Sequence, residues 1–150
     1  MDSPDALLDS NVIVATVVSE HQNHLPSISL FERYRAGSFA VAAHSFAESY
    51  VTLTKRGPRA PFEWDAADAW TSLQSVVKVV QLVGLSPAAT LDSLRTYASR
   101  GHTGARLYDW LIGQSGELVR VPAIVTWNSA HFTSLFPTLP ILTPSEFMEG

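Results

Sequence analysis

Short, wholly apolar runs alternate with longer amphipathic ones along the chain. Residues 6–9 (ALLD) and 38–43 (SFAVAA) read as short buried strands. So do the β-branched run 76–83 (VVKVVQLV), the run 121–127 (VPAIVTW), and the start of 139–147 (LPILTPSEF). Helices are predicted over 11–19, 25–37, 44–57, within 58–75, over 85–101 and over 104–116. Their ends carry recognisable signals. Ser86 precedes Pro87 as an N-cap before a first-turn proline, and Lys55, Arg56 and Gly57 suit a helix C-terminus. Thr143 and Glu146 are spaced as a capping box around Pro144. Trp64, Ala67 and Trp70 fall on related faces of the 58–75 helix. Strands that alternate with helices predict a three-layer α/β/α sandwich, with a mostly parallel central sheet covered on both faces. Ligands of such sheets bind beyond the carboxyl ends of the strands.

Composition narrows this picture. With 150 residues and 46% hydrophobic content, residues 1–150 suit a single domain with its own core. A formal charge of −4 argues against coating nucleic acid through bulk positive charge. An enzyme with an acidic, metal-binding centre and arginines around it is compatible with that charge. The absence of cysteine removes disulfides, thiolate zinc sites and cysteine nucleophiles together. The first residues, MDSPDALL, have no basic stretch before an apolar one, and no apolar segment approaches the ~20 residues of a membrane span. The expectation is a cytoplasmic protein without a membrane segment.

Four polar residues sit where this fold places ligand sites. Asp9 ends the first strand, Glu48 follows SFAVAA, Asn128 follows AIVTW, and Asp109 lies inside a helix between Leu107, Tyr108, Trp110 and Leu111. Each has a purely structural alternative. Asp9 is a natural helix N-cap, Glu48 completes a capping box with Ser45 across SFAE, Asp109 is a solvent-facing position, and Asn128 is a turn or cap residue. Ser10, Asn11 and Thr126 are candidates to orient these groups, with Asn11 read as structural. No second acid follows two residues after Asp9, which disfavours a haloacid-dehalogenase phosphatase. His21 and His24, in HQNH, lack the glutamate of a metalloprotease helix and read as solvated loop residues. His102 is a possible substrate contact. Basic residues at 55–59 (KRGPR), Arg95, Arg100, Arg106 and Arg120 offer phosphate contacts or an ordinary solvated surface. No aromatic stacking platform is evident from spacing.

The order LLDSNVIVA, AESYVTL, GARLYDWLI and IVTWNSAHF resembles the PIN domain family, along the whole chain from Asp9 to LTPSEF. Many PIN domains are VapC-type ribonuclease toxins of toxin–antitoxin pairs. The resemblance implies metal ligands at Asp9, Glu48 and Asp109, with Asn128 in the fourth position, where many relatives carry Asp. An asparagine keeps a carbonyl oxygen for a cation or its water, but brings no charge and cannot serve as a general base. One firmly held Mg²⁺ or Mn²⁺ is therefore expected, with a second recruited only with substrate. The resemblance further implies hydrolysis of RNA by a metal-activated water, leaving 5′-phosphate and 3′-hydroxyl ends. It also implies homodimers and inhibition by a cognate antitoxin that inserts a peptide near the site. The rival readings are a PIN-like binding module weakened at Asn128, and a metal phosphoesterase acting on another nucleic acid.

Overall fold

Three consecutive buried residues, Ala6–Leu8, form the central strand β1. The computed structural model describes residues 2–150. β1 pairs with β2 (Phe39–Ala42) on one side and β4 (Ile124–Val125) on the other, and β3 (Gln81–Val83) and β5 (Ile141–Leu142) complete the edges. All the pairings are parallel, and the order is β3-β2-β1-β4-β5. The register sets Leu7 opposite Ala40 and Ile124, and Leu8 opposite Val41 and Val125. A parallel sheet covered on both faces needs strands without polar alternation, and β1, β2 and β4 are buried at every position.

Successive side chains leave a strand on opposite faces, so one strand feeds two cores. Ala6, Leu8, Phe39, Val41 and Val125 pack with Val12 and Ile13 of α1 (Ser10–Val17), Leu30 of α2 (His24–Arg33) and Leu53 of α3 (Ala43–Thr54). The same core takes in Ala69, Leu73 and Val76 of α4 (Ala66–Val77) and Phe147 of α8 (Pro144–Glu149). On the other face, Leu7, Ala40 and Ile124 pack with Tyr97 of α5 (Pro87–Ser99) and Trp110 and Ile112 of α6 (Arg106–Leu118). Phe132 of α7 (Ala130–Thr133) and Phe136 close that layer. The sandwich is thus α/β/α, with a wholly parallel sheet where a mostly parallel one was expected.

Several boundaries move for identifiable reasons. Residues 76–83 are not one strand: Val76 and Val77 finish α4, a turn follows, and only Gln81–Val83 joins the sheet. Ala69, Leu73 and Val76 recur at helical spacing and are buried together, so packing overrides the β-branched propensity. Helix α4 begins only after Asp65, whose side chain accepts from the Asp68 amide 2.8 Å away. Trp64 therefore precedes the helix, and Trp70 is exposed rather than buried beside it. The cap at Ser86 and the capping box of Thr143 and Glu146 are both formed. His24 is not a solvated loop residue. It opens α2 and donates from Nδ1 to the Ala15 carbonyl at 2.9 Å, tying α2 to α1.

Helix α6 approaches the sheet closely because its inner face carries glycines. A Cβ at Gly116 would sit 3.0 Å from Leu7 Cδ2, and one at Gly113 would overlap the Phe136 ring. That ring is itself fixed by stacking on Trp110 at 5.1 Å. Glycine normally weakens a helix interior by about 1 kcal/mol relative to alanine. Here Gly113→Ala is expected to destabilise the protein instead, by about 1–3 kcal/mol, as overpacked cores do. Urea titration checks this; an unchanged or raised midpoint would mean that Phe136 has room to move.

Candidate active site

The strand order reverses at β1: β2 and β3 lie to one side of it, β4 and β5 to the other. A crevice opens beyond the carboxyl ends of strands at such a reversal. Asp9 follows β1 directly and Thr126 follows β4 directly, so both stand in it. Asp9 is 6% exposed. Its Oδ1 accepts from the Ser10 amide at 2.8 Å and its Oδ2 from the Thr126 hydroxyl at 2.9 Å. Asp9 is the N-cap of α1, yet it takes the amide of the next residue rather than one deeper in the helix. A carboxylate has about four lone-pair sites. Two hydrogen bonds leave it capacity for a cation.

Thr126 is fully buried and saturated. It donates to Asp9 and accepts from Asn11 Nδ2 at 3.1 Å and from the Asn128 amide at 3.0 Å. The Asn11 carbonyl accepts in turn from the Trp127 amide at 3.1 Å. Asn11 and Thr126 together clamp the end of β1 to the end of β4, which is the positioning work anticipated for them.

Glu48 and Asp109 approach the crevice from α3 and α6, within range of the Asp9 charge. Helix α3 starts at once after β2, with no side-chain cap, and Ser45 Oγ has no hydrogen-bond partner among the described residues. Glu48 therefore does not form a capping box with Ser45. Asp109 lies in the first turn of α6 with its side chain 19% exposed, so it is not a solvent-facing position. The favourable end of the helix dipole meets it there.

All three carboxyls are pushed above their ordinary range. Burial is the largest cause for Asp9, opposed by the Thr126 and Ser10 hydrogen bonds and by His131. Burial also leads for Glu48; His44 opposes it, while the charges of Asp9 and Asp109 add to it. For Asp109, burial comes first and the Asp9 charge second, against His131 and Arg106. The three acids thus sense one another as like charges. Among the described residues, however, no three His, Cys, Asp or Glu side chains are gathered closely enough to cage an ion.

Asn128 stands apart from this trio. It is exposed, and its Nδ2 lies 2.8 Å from His131 Nε2. His131 Nδ1 in turn faces Asp109 Oδ2 at 3.7 Å. His44 lies one turn before Glu48, with Nε2 3.8 Å from Oε2. In the sequence His131 stands only within the segment IVTWNSAHF that carries the PIN resemblance, and His44 is not singled out. Their pairing with acids of the site depends on where α7 and α3 sit, and for His44 the i,i+4 spacing to Glu48 was the available signal. Of the arginines, Arg106 borders the site and donates to the Ala130 carbonyl at 3.1 Å. Arg56 instead braces its own loop through the carbonyls of Glu63 and Trp64, Arg95 pairs with Asp92, and Arg100 lies over Trp110. His102 packs against the Tyr97 ring, with centroids 5.1 Å apart.

Two outcomes follow from this arrangement. A carboxyl whose folded pKa is raised costs no stability below its unfolded pKa, near 4.3 for Glu, and imposes a growing penalty as pH rises through the folded value. Glu48→Gln removes that penalty. In metal-free protein the melting temperature of Glu48→Gln, relative to wild type, is expected to climb from about pH 4 upward. A flat difference across that range would remove Glu48 from the coupled set. Thr126→Val leaves the buried Asp9 carboxylate and the donors from Asn11 and Asn128 short of a partner and is expected to cost about 1–3 kcal/mol. Thr126→Ser should recover most of it in the same denaturation experiment.

No family model and no curated protein sequence matches the chain. Solved structures do. The toxin VapC20 of Mycobacterium tuberculosis, described as cleaving the sarcin–ricin loop, is 10% identical, with 79% of this chain and 86% of that one covered and a TM-score of 0.61. PAE2754 from Pyrobaculum aerophilum is 18% identical over 98% of this chain and 89% of its own, with a TM-score of 0.64. FitAcB from Neisseria gonorrhoeae is 14% identical, covering 93% of this chain and 98% of its own, with a TM-score of 0.61. With a five-stranded parallel sheet between two helical layers and these structures superposing over most of their length, the chain has the PIN-like α/β/α fold that they share.

Proposed function

We propose that this protein is a metal-dependent endoribonuclease, the toxin of a toxin–antitoxin pair. The observation that carries the proposal is that Asp9 at the end of β1, Glu48 on α3 and Asp109 in the first turn of α6 border one crevice at the switch point of the sheet, close enough for their charges to be felt by one another. Proteins rarely bring such groups together without a cation to offset their charge. Hard oxygen donors suit Mg²⁺ or Mn²⁺. The looseness of the trio fits as well, because Mg²⁺ keeps several waters and takes few protein ligands. Asp9, Glu48 and Asp109 would hold the ion, with the Asn128 carbonyl assisting. When bound, the ion supplies a water of lowered pKa and offsets charge on the phosphate.

The chain's own groups do the rest. Thr126 and Ser10 fix the Asp9 carboxylate by one hydrogen bond to each oxygen. Arg106 presents a guanidinium beside Asp109, where a phosphate of the substrate would otherwise meet only negative charge. His131 lies between Asp109 and Asn128 and offers the site a ring N–H. The choice of RNA draws support from the sarcin–ricin cleavage in the description of VapC20, and the toxin class from the shared fold. A small antitoxin protein and a second copy of this chain are the partners that accompany this reading. No described helix is long and apolar enough to cross a membrane.

Purified protein, incubated with structured and unstructured RNA with Mg²⁺, Mn²⁺ or EDTA, tests the proposal. Discrete cuts ending in 5′-phosphate are expected with metal and none with EDTA. Asp109→Asn and Glu48→Gln are each expected to lower the rate by about 100-fold or more, at least the loss seen when outer-shell partners of a metal are removed. Metal should also raise the wild-type melting temperature, more above neutral pH than in acid, where protons compete for the same oxygens. Neither cleavage nor a metal-dependent thermal shift would leave a binding module as the better reading. Cleavage that survives both substitutions would mean that the site lies elsewhere.

A further inference from the structure

Next to the three carboxylates stand two aromatic rings that the chemistry above does not use. His44 and Tyr108 stack with centroids 5.7 Å apart and planes 13° from parallel. Each is tied to the site by its own helix. His44 is one turn before Glu48 on α3, and Tyr108 immediately precedes Asp109 on α6. Tyr108 is 50% exposed, an unusual state for a large ring beside a buried acidic centre. His44 also lines a cleft of about 240 Å³ between the end of β2 and α6, together with Ala42, Leu85, Leu111, Ile112 and Ser115. Tyr108, Leu111, Ile112 and Ser115 fall at helical spacing along α6, so ring and cleft form one continuous face.

We infer that the Tyr108–His44 stack is a nucleobase platform, which holds one unpaired base of the substrate next to the phosphodiester at the carboxylates. The inference rests on the ribonuclease reading and narrows it to RNA with an unstacked base at the cut. Three features select a base over other occupants. A flat π-face pair continues the geometry of base stacking, which tolerates any base. The cleft is smaller than the ~300 Å³ lower bound of drug-sized pockets, and suits a single ring system better than a peptide segment. Its position is also close to the acids, since His44 Nε2 lies 3.8 Å from Glu48 Oε2 and Tyr108 directly precedes Asp109 on α6. A base in a duplex cannot enter without leaving its stack, so loops and single strands are the favoured substrate, as in most RNA recognition. Spacing along the sequence hid this platform because its two rings come from α3 and α6.

The test uses a short single-stranded oligoribonucleotide carrying 2-aminopurine, moved one position at a time, mixed with the full-length protein in EDTA and again in Mg²⁺. Stacking quenches the fluorophore. Wild type and Tyr108→Phe are expected to quench it strongly at one position. Tyr108→Ala is expected to lose that quenching and to bind about 10-fold more weakly, the loss of one stacked base. Its cleavage should fall through a raised KM with kcat less affected. An unchanged melting temperature for Tyr108→Ala shows that the exposed ring is not needed for folding. Quenching that survives in Tyr108→Ala overturns the platform, even if the protein cleaves RNA. So does an absence of RNA binding by wild type, or shielding of Tyr108 by a protein partner alone. Position-specific, Tyr108-dependent quenching in a protein that does not cut sustains the platform while the nuclease reading falls.

Discussion

A carboxylate with 6% of its surface exposed, at the end of the central strand, is the constraint around which the rest is arranged. Leaving Asp9 buried and alone would be costly. The fold answers first with hydrogen bonds, from Ser10 and Thr126, and these require the ends of β1 and β4 to be in register. Asn11 secures that register by bonding Thr126 and the Trp127 amide at once. Burial nevertheless outweighs these bonds, since Asp9 still resists ionisation. Two more acids then approach the same crevice and raise the electrostatic cost further. Stability alone gives no reason for that second step. It is the pattern expected where binding or chemistry sets the requirement and the remaining structure absorbs the strain.

The same constraint explains why α6 is built as it is. Asp109 must reach the crevice from the layer opposite α1 and α3, so its helix has to lie close against the sheet. Gly113 and Gly116 allow that approach on the inner face, where any side chain would strike Phe136 or Leu7. Trp110, between them and the start of the helix, anchors it by donating its indole N–H to the Ser93 carbonyl at 2.8 Å. Helix α6 thereby carries packing on one stripe, an acid on the next, and an exposed aromatic on a third.

Much of this was readable in the sequence, for physical reasons that also mark where reading stops. Strands β1 and β2 stood out because a strand covered on both faces has no polar position to blur it. Ser86-Pro87 and Thr143-Pro144 identified helix starts because capping is local chemistry. The run 76–83 misled because Val76 is claimed by the α4 core face, a non-local decision. Likewise Asp9, Glu48 and Asp109 could be singled out one by one, each as an acid next to an apolar run. That they sense one another, and that Glu48 is not a cap, depends on three helix–sheet packings that no local window contains. His44 and Tyr108 illustrate the limit most sharply, since neither residue is unusual until the other is placed beside it.

Asn128 takes on a different meaning within this frame. Against the Asp that the PIN resemblance leads one to expect there, it lacks a charge. Viewed against three carboxyls already pushed toward their neutral forms, it is relief: a fourth acid would add like-charge repulsion where there is already too much. It also acts on His131. An amide N–H directed at Nε2 makes that nitrogen the acceptor, so the neutral ring carries its proton on Nδ1, the side facing Asp109. An aspartate at 128 would reverse the demand and call for a proton on Nε2. A neutral amide at 128 therefore adds no charge to the trio and orients the histidine whose Nδ1 faces Asp109.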